Sequence, residues 1–419
     1  MRNLPARRVP VKRMCATGDR LILSAFKMSD QIVEGTFMTI SRFGTPVAIL
    51  LAVVVGHGSA VAQTIDSSAG PLTANVVAEG LDHPWALGFL DDGRFLVTER
   101  SGQLRIVDDG VVGPPIEGVP EVVAVGQGGL LDLALAPDFA TSGRIFLTFA
   151  EPAASAGLQR GTGTAVMAAR LVLEGDGGRL EDQAVIFRMN NFNNSNRHFG
   201  SRIAIGTDGN LFVTLGERGD MERAQDPQDL AGGVVRIAPD GSIPQDNPKI
   251  EGWHPAFWSI GHRNPQGATV REEDGALFTV EHGARGGDEV NKPEAGKNYG
   301  WPVITYGRDY SGLAIGEGTT KEGLEQPLHY WDPSISPSGL DFYDGDLIAG
   351  WQGDLLAGGL SGNVLVRIDM EGDAVQQVEP LFEGQLGRIR DVRTGADGAI
   401  YLLTDEANGR LIRVAPEGL

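Results

Sequence analysis

Short polar clusters interrupt an otherwise apolar, glycine-rich chain, each where an apolar strand is about to begin. Asn196, Arg197 and His198 open the stretch NRHFGSRIAIGTDGNLFVTLGE, and Glu217 closes it. His262, Arg263, Asn264 and Gln266 stand together in SIGHRNPQGATV. Gln127 lies between glycines in GQGGLL, and Arg388 and Arg390 stand two apart in GQLGRIRDV. Histidine titrates near neutral pH and can exchange a proton there. Arginine is a fixed cation whose planar fork matches carbonyl and carboxylate oxygens. Arginines two apart on a strand share a face and make a seat for carboxylates. An ordinary exposed strand face would read the same way.

One loop offers different chemistry. VEHGARGGDEVNKPEAGKNYGWP carries Glu281, Asp288 and Glu289 among glycines that can turn backbone carbonyls inward. Carboxylates with carbonyls suit a hard cation such as Ca²⁺. The spacing is not that of an EF-hand, and an acidic surface loop has the same composition.

The elements that must hold these residues repeat. An apolar strand, a turn and a second apolar strand recur in ALGFLDDGRFLVTE, LDLALAPDFATSGRIFLTFA, IAIGTDGNLFVTLGE, ATVREEDGALFTVE, GLDFYDGDLIAGWQGDLLAGG and VRTGADGAIYLLTD. The turn glycines are Gly93, Gly143, Gly209, Gly275, Gly345 and Gly398. Several units continue into another turn and strand, as in SGQLRIVDDG and SGNVLVRIDMEG. A repeat of this size with about four strands is a propeller blade. The chain is therefore expected to be all-β, a six-bladed propeller of four-stranded antiparallel blades. NVVAEGLDHP precedes the first hairpin without a partner and is predicted to complete the last blade. LQRGTGTAVMAARLVLEGDGGRL reads as strand, turn, strand rather than helix. Ligands of a propeller sit over its central channel, so polar residues at blade entrances are the candidates. His83, His198, His254, His262, His282 and His329 are the histidines after residue 62, and four lie in such contexts.

Composition agrees: 59 glycines, 23 prolines and 7% aromatics suit many short strands joined by turns. MTISRFGTPVAILLAVVVGHGSAVAQ, from Met38, has a basic start, an apolar run too short to span a bilayer and a small-x-small site ending at Ala62. Residues 1–62 are accordingly expected to be an extension plus a secretory signal peptide, with Met38 the true start. Residues 63–419 are expected to be a single catalytic propeller, periplasmic or secreted, and not inserted in a membrane after cleavage. Cys15, the one cysteine, falls before that cut, so packing and ladders must replace disulfides. Beyond residue 62, 27 Lys and Arg stand against 52 Asp and Glu, a net charge of −25. Such acidity argues against nucleic acid and anionic membranes as partners.

GQGGLLDLALAPDF, GHRNPQG and EHGARGGDEVN…GKNYGWP, in this order, closely resemble the soluble quinoprotein sugar dehydrogenases, the glucose/sorbosone dehydrogenase family, and within it the bacterial aldose sugar dehydrogenases. The resemblance runs from about Val76 to Pro416. It implies a six-bladed propeller binding pyrroloquinoline quinone (PQQ) and calcium, which oxidises the C1 hydroxyl of aldoses to lactones by hydride transfer to the quinone. It implies His198 as general base, Glu217 as its orienting acid and Arg263 at the quinone carbonyl. Gln127, Asn264, Asp288, Arg388 and Arg390 match cofactor-site positions. Gly283 and Ala284 match the carbonyls of the active-site calcium, and Glu289 and Tyr299 a second, structural calcium site. Ser361 stands where the glucose branch has a lysine and His282 where it has a glutamine, Ala284 stands where relatives often have proline, and Glu217 is a conservative departure from relatives with aspartate. A monomer is expected, with an aldose as substrate and an electron acceptor that the sequence does not specify. Two other classes share the fold: a calcium-dependent propeller lactonase or other hydrolase, and a non-catalytic binding propeller.

Overall fold

The computed structural model describes residues 62–419. Six antiparallel sheets follow one another in chain order, and each begins with the strand nearest the central axis. The inner strands are Pro84–Phe89, Leu130–Leu135, Gly200–Ile205, Pro265–Val270, Pro337–Phe342 and Ile389–Thr394. They neighbour one another in a closed ring, the last beside the first. The ring closes as expected: Gly70–Leu81 pairs with Gly409–Pro416, so a strand from before the first blade supplies the fourth strand of the sixth. Thr162–Glu174 and Gly177–Arg188 form the expected strand pair. Two blades carry a fifth strand that was not expected. Gln63–Ser67 extends the sixth, and the two-residue Lys297–Asn298 runs parallel to Phe257–Ile260 in the third.

The packing explains why the second strands read as nearly continuous apolar runs. Each of six apolar clusters joins two adjacent blades; Leu96, Leu104, Leu133 and Leu147, for example, meet between the first and second. A blade is thus buried on both faces, which removes the alternation of a half-exposed strand. Five of the six turn glycines have the positive φ that only glycine adopts freely, from +65° at Gly143 to +90° at Gly93. Gly345 does not. Its hairpin is longer, and a Cβ there would lie 2.8 Å from Gly398, so close approach of two turns requires glycine at that position.

One irregularity positions the site. In all six blades the ladder between inner and second strands shifts register just after the inner strand's first paired residue, as between Gly200 and Ile203 and between Pro265 and Gly267. Such bulges re-aim side chains at a strand's end. Here they ring one mouth of the channel. In three blades a buried threonine steadies the bulge: Thr98, Thr148 and Thr214 each accept a backbone N–H of their own inner strand and donate to a carbonyl of the next blade's. Below the mouth the channel is crossed by Arg202, which is fully buried. Its guanidinium lies 2.7 Å from Asp132 and 3.0 Å from Asp391, and its Nε donates to the Gln266 carbonyl.

Candidate active site

The segments singled out in the sequence converge on that mouth from four blades, and Ser336, which the sequence did not mark, joins them from a fifth. Gln127, His198, Arg263 with Asn264, Ser336 and Arg388 each stand just before an inner strand, and Arg390 lies within the sixth bulge. Second strands run antiparallel to inner ones and end at the same mouth. Five of the six arrive there on an acid: Glu99, Glu151, Glu217, Glu281 and Asp405.

His198 is the centre of one group. Its Nδ1 lies 2.7 Å from Glu217 Oε2, and both side chains are buried. Glu217 can only accept, so Nδ1 carries the hydrogen and Nε2 keeps its lone pair. Burial holds the imidazole below its ordinary pKa, helped by the charge of Arg263 and opposed by Glu217. The ring is therefore neutral and basic at neutral pH. The backbone of His198 sits at φ +55°, and Gly200 and Ser201 follow at +61° and +85°. Gln127 stabilises this uncommon turn from the neighbouring blade: its Oε1 accepts the His198 N–H at 2.6 Å, and its own N–H donates to Asn196.

Arg263 faces this group. Its backbone N–H donates to Glu281 at 2.6 Å, its carbonyl accepts from the Glu217 N–H, and its guanidinium lies 5.2 Å over Trp301. Among the described residues no carboxylate pairs with it, and its one acceptor is the His282 carbonyl, at 3.2 Å. Asn264 accepts the Gly200 N–H, linking the third and fourth blades. His262, beside them in sequence, is a strut instead. It is fully buried between Glu281 and Ser259 and stacks on Tyr299.

The arginine pair forms a second group. Arg388 and Arg390 were expected on one strand face. Arg388 in fact precedes the strand and is about half exposed, while Arg390 sits in the bulge and is buried. They converge because Asp405 Oδ2 accepts from both, at 3.3 and 2.9 Å. Burial alone would raise the Asp405 pKa, but Arg390 and Arg100 outweigh it and hold the carboxylate well below the usual range. His83 reaches the other oxygen at 3.1 Å, and Gln266 accepts from Arg390 at 2.7 Å. Asp405 was not recognised in the sequence. The recurring acid at the ends of second strands, as in LVTE, FTVE and LLTD, was the available signal.

The glycine-rich loop separates its three carboxylates. Glu281 is bonded to His262, Arg263 and Asn291. Asp288 is fully engaged as a brace: Oδ1 takes the Gly283 N–H, and Oδ2 takes Ser334 Oγ and the N–H groups of Ile335 and Ser336. Glu289 is pushed up to about 8 by burial and the nearby Glu281. Among the described residues, no three His, Cys, Asp or Glu side chains gather as a metal cage. What the loop presents is backbone, with Gly283 and Ala284 lining a cavity of about 510 Å³ beside His282, Tyr310, Ser334 and Ser336. Tyr299 gives its hydroxyl to the Lys292 carbonyl and accepts the Glu294 N–H. Ser361 lies at this mouth, 2.8 Å from Ser336 through their hydroxyls. His282 is held neutral, down to about 3, by burial and by the charges of Arg263 and Arg390.

Among the described residues, the buried Arg263 Nε, Arg390 Nε, Asn264 Nδ2, His282 Nε2 and Trp301 Nε1 have no hydrogen-bond partner. Unsatisfied buried polar atoms cost free energy unless a ligand meets them. A concentration of cationic and amide donors on so acidic a chain fits a planar, oxygen-rich anion.

Comparison with known proteins places this geometry. The family model described as Glucose / Sorbosone dehydrogenase matches residues 81–413. The chain is 44% identical over 356 residues to the aldose sugar dehydrogenase YliI of Escherichia coli (strain K12), covering 83% of this chain and 94% of that protein. A crystal structure of a glucose dehydrogenase superposes with a TM-score of 0.78 at 46% identity, covering 81% of this chain and 99% of the other. The PQQ-bound aldose sugar dehydrogenase of Streptomyces coelicolor superposes at 0.67 and 28% identity, covering 84% and 100%.

Proposed function

The chain belongs to the glucose/sorbosone dehydrogenase family, and from that premise we propose that it oxidises the C1 hydroxyl of aldose sugars to lactones with PQQ and calcium. The observation that carries this reading is the buried His198–Glu217 pair facing an arginine, Arg263, that has no carboxylate partner among the described residues.

PQQ, when bound, would supply two-electron oxidising power, and calcium would act as a Lewis acid toward it. The protein supplies the rest. His198 Nε2 accepts the proton of the C1 hydroxyl. Glu217 keeps the ring in that tautomer and stabilises the imidazolium that forms, as the carboxylate of a catalytic triad does. Arg263 offers a fixed positive charge to the oxygen on which negative charge develops. Arg388 and Arg390 hold cofactor carboxylates, and Asn264 supplies an amide donor. Gln127 acts through the backbone of His198 as much as through any cofactor contact. Asp288 acts by fixing the loop whose Gly283 and Ala284 carbonyls would hold calcium. Glu289 and the backbone of Tyr299 would serve a second calcium, whose charge would also lower the Glu289 pKa.

The test is the absorption spectrum of purified protein with PQQ and calcium, before and after an aldose is added. Bleaching of the oxidised quinone is expected, and an unchanged spectrum across aldoses overturns the reading. His198→Ala should bind PQQ yet reduce it about 10²–10⁴-fold more slowly in single-turnover experiments, the usual worth of a positioned base. A wild-type rate would remove His198 from the chemistry.

We also infer export, with action as a monomer. The signal segment lies outside the described residues, but the expected cut after Ala62 falls at the start of the strand Gln63–Ser67 and would remove no described strand. No described helix is long and apolar enough to cross a membrane. N-terminal sequencing of the mature protein and its sedimentation decide both points. An uncut cytoplasmic chain would refute the first, and a stable dimer the second.

A further inference from the structure

Among the described residues, six arginines are at least nine-tenths buried: Arg202, Arg218, Arg236, Arg263, Arg367 and Arg390. Four have a carboxylate within 4 Å. Arg263 does not, and faces the proposed cofactor. Arg218 does not either, and its side chain is shielded from solvent. A buried cation without a counter-charge is costly, and burial brings its pKa down to about 9.

Its contacts identify its work. One Nη donates to the Arg197 carbonyl; the other donates to the Ser195 carbonyl at 2.6 Å and to Thr162 Oγ1 at 2.8 Å. The guanidinium lies over the Phe199 ring at 3.4 Å. Its backbone N–H donates to the His198 carbonyl, and its own carbonyl accepts from Asn193 Nδ2. Arg218 therefore holds the chain at 193, 195, 197, 198 and 199. This is the irregular approach to a histidine whose backbone stands at positive φ, as Arg218 itself does at +62°. A full positive charge on the donor makes such bonds to backbone carbonyls about twice as strong as those from neutral donors. Glu217, the preceding residue, orients the imidazole. One turn thus fixes both the ring and the backbone of His198.

We propose that Arg218 is a positioning residue for His198, a guanidinium staple that keeps Nε2 aimed into the mouth. This rests on His198 being the base. Positioning matters steeply, since a misplacement of about 1 Å can cost on the order of 10²-fold in rate.

The experiment uses the full-length protein with Arg218→Lys, which keeps the charge but cannot span two carbonyls and a hydroxyl. The quinone-reduction rate in single turnover should fall about 10–100-fold, with PQQ affinity and the KM for the aldose within about twofold of wild type. In protein without PQQ, the downfield proton resonance of the His198 Nδ1–H bonded to Glu217 should broaden or vanish. Should Arg218→Lys fail to fold, Thr162→Val removes one acceptor, and a smaller fall of about threefold, with unchanged PQQ affinity, is expected. A wild-type rate and a wild-type resonance in the folded variant would overturn the proposal. So would losses of rate, PQQ affinity and melting temperature in parallel, since those describe a fold defect. If the wild type itself oxidises no aldose, the reading of function fails, and the His198 resonance alone then decides the role of Arg218.

Discussion

A single oxygen, Oδ2 of Asp405, receives Arg390 at 2.9 Å and Arg388 at 3.3 Å, so one carboxylate sets the spacing of two cations, one just before a bulged strand and one within its bulge. Removing it leaves Arg390 buried beside Arg388 and Arg100 with no counter-charge.

Asp405→Asn should lower the stability of protein free of PQQ by about 3–5 kcal/mol, the usual cost of breaking a buried ion pair from one side. The cofactor's carboxylates then replace the lost charge, so PQQ should raise the melting temperature more in the variant than in wild type. A depressed carboxylate contributes stability that is full above its unfolded pKa of about 3.9 and is lost as pH falls through the lower folded value. Asp405→Asn should therefore flatten acid unfolding below about pH 4. Thermal scans against pH, with and without PQQ, test both statements.

Glu217→Gln should move the acid limb of the pH–rate profile to lower pH. Glu217 raises the His198 pKa against burial, so its loss depresses that pKa further. The base is then neutral over a wider range but weaker and less well oriented, and the plateau rate should fall about 10–10³-fold. A limb that moves to higher pH would contradict the assignment of Glu217.

Arg388→Ala and Arg390→Ala should be distinguishable. Each should weaken PQQ binding by about 1.5–3 kcal/mol, the worth of a charge-assisted hydrogen bond. Arg388 is about half exposed, so its loss should leave the melting temperature nearly unchanged. Arg390 is buried and bonded to Asp405 and Gln266, so its loss should also destabilise the fold. Equilibrium titration beside calorimetry separates the two effects.

Ser361→Lys should tighten PQQ binding. Ser361 stands at the mouth beside Ser336, and Arg388 donates to the carbonyl of the preceding residue, Leu360. An added ammonium there can reach an anion in the mouth, and a gain of about tenfold in affinity corresponds to ~1.4 kcal/mol. Weaker binding would mean that repulsion from Arg388 outweighs the new contact.

How much of this was legible follows from the range of each interaction. The sixfold recurrence of apolar strand, turn glycine and apolar strand is local, so blade number and strand order could be read directly. The unpaired NVVAEGLDHP pointed to ring closure because an orphan strand must find a ladder somewhere. The polar clusters were visible because charged groups at strand entrances conflict with their apolar surroundings. What the chain order hid was produced by closing the ring. Six bulges aim side chains that a regular alternation would have placed elsewhere, and no local pattern marks them. Asp405 acquires its role only when the sixth blade brings it beneath Arg388 and Arg390. Glu281, Asp288 and Glu289 could be read either as cation ligands or as an acidic loop; in the fold Glu281 and Asp288 bond to backbone N–H groups that the mouth leaves without ladder partners. No local pattern marks Arg218, and only burial against the approach to His198 gives its charge a role. Local patterning determined the blades; the desolvation and hydrogen-bond demands of a closed channel mouth decided which residues meet there.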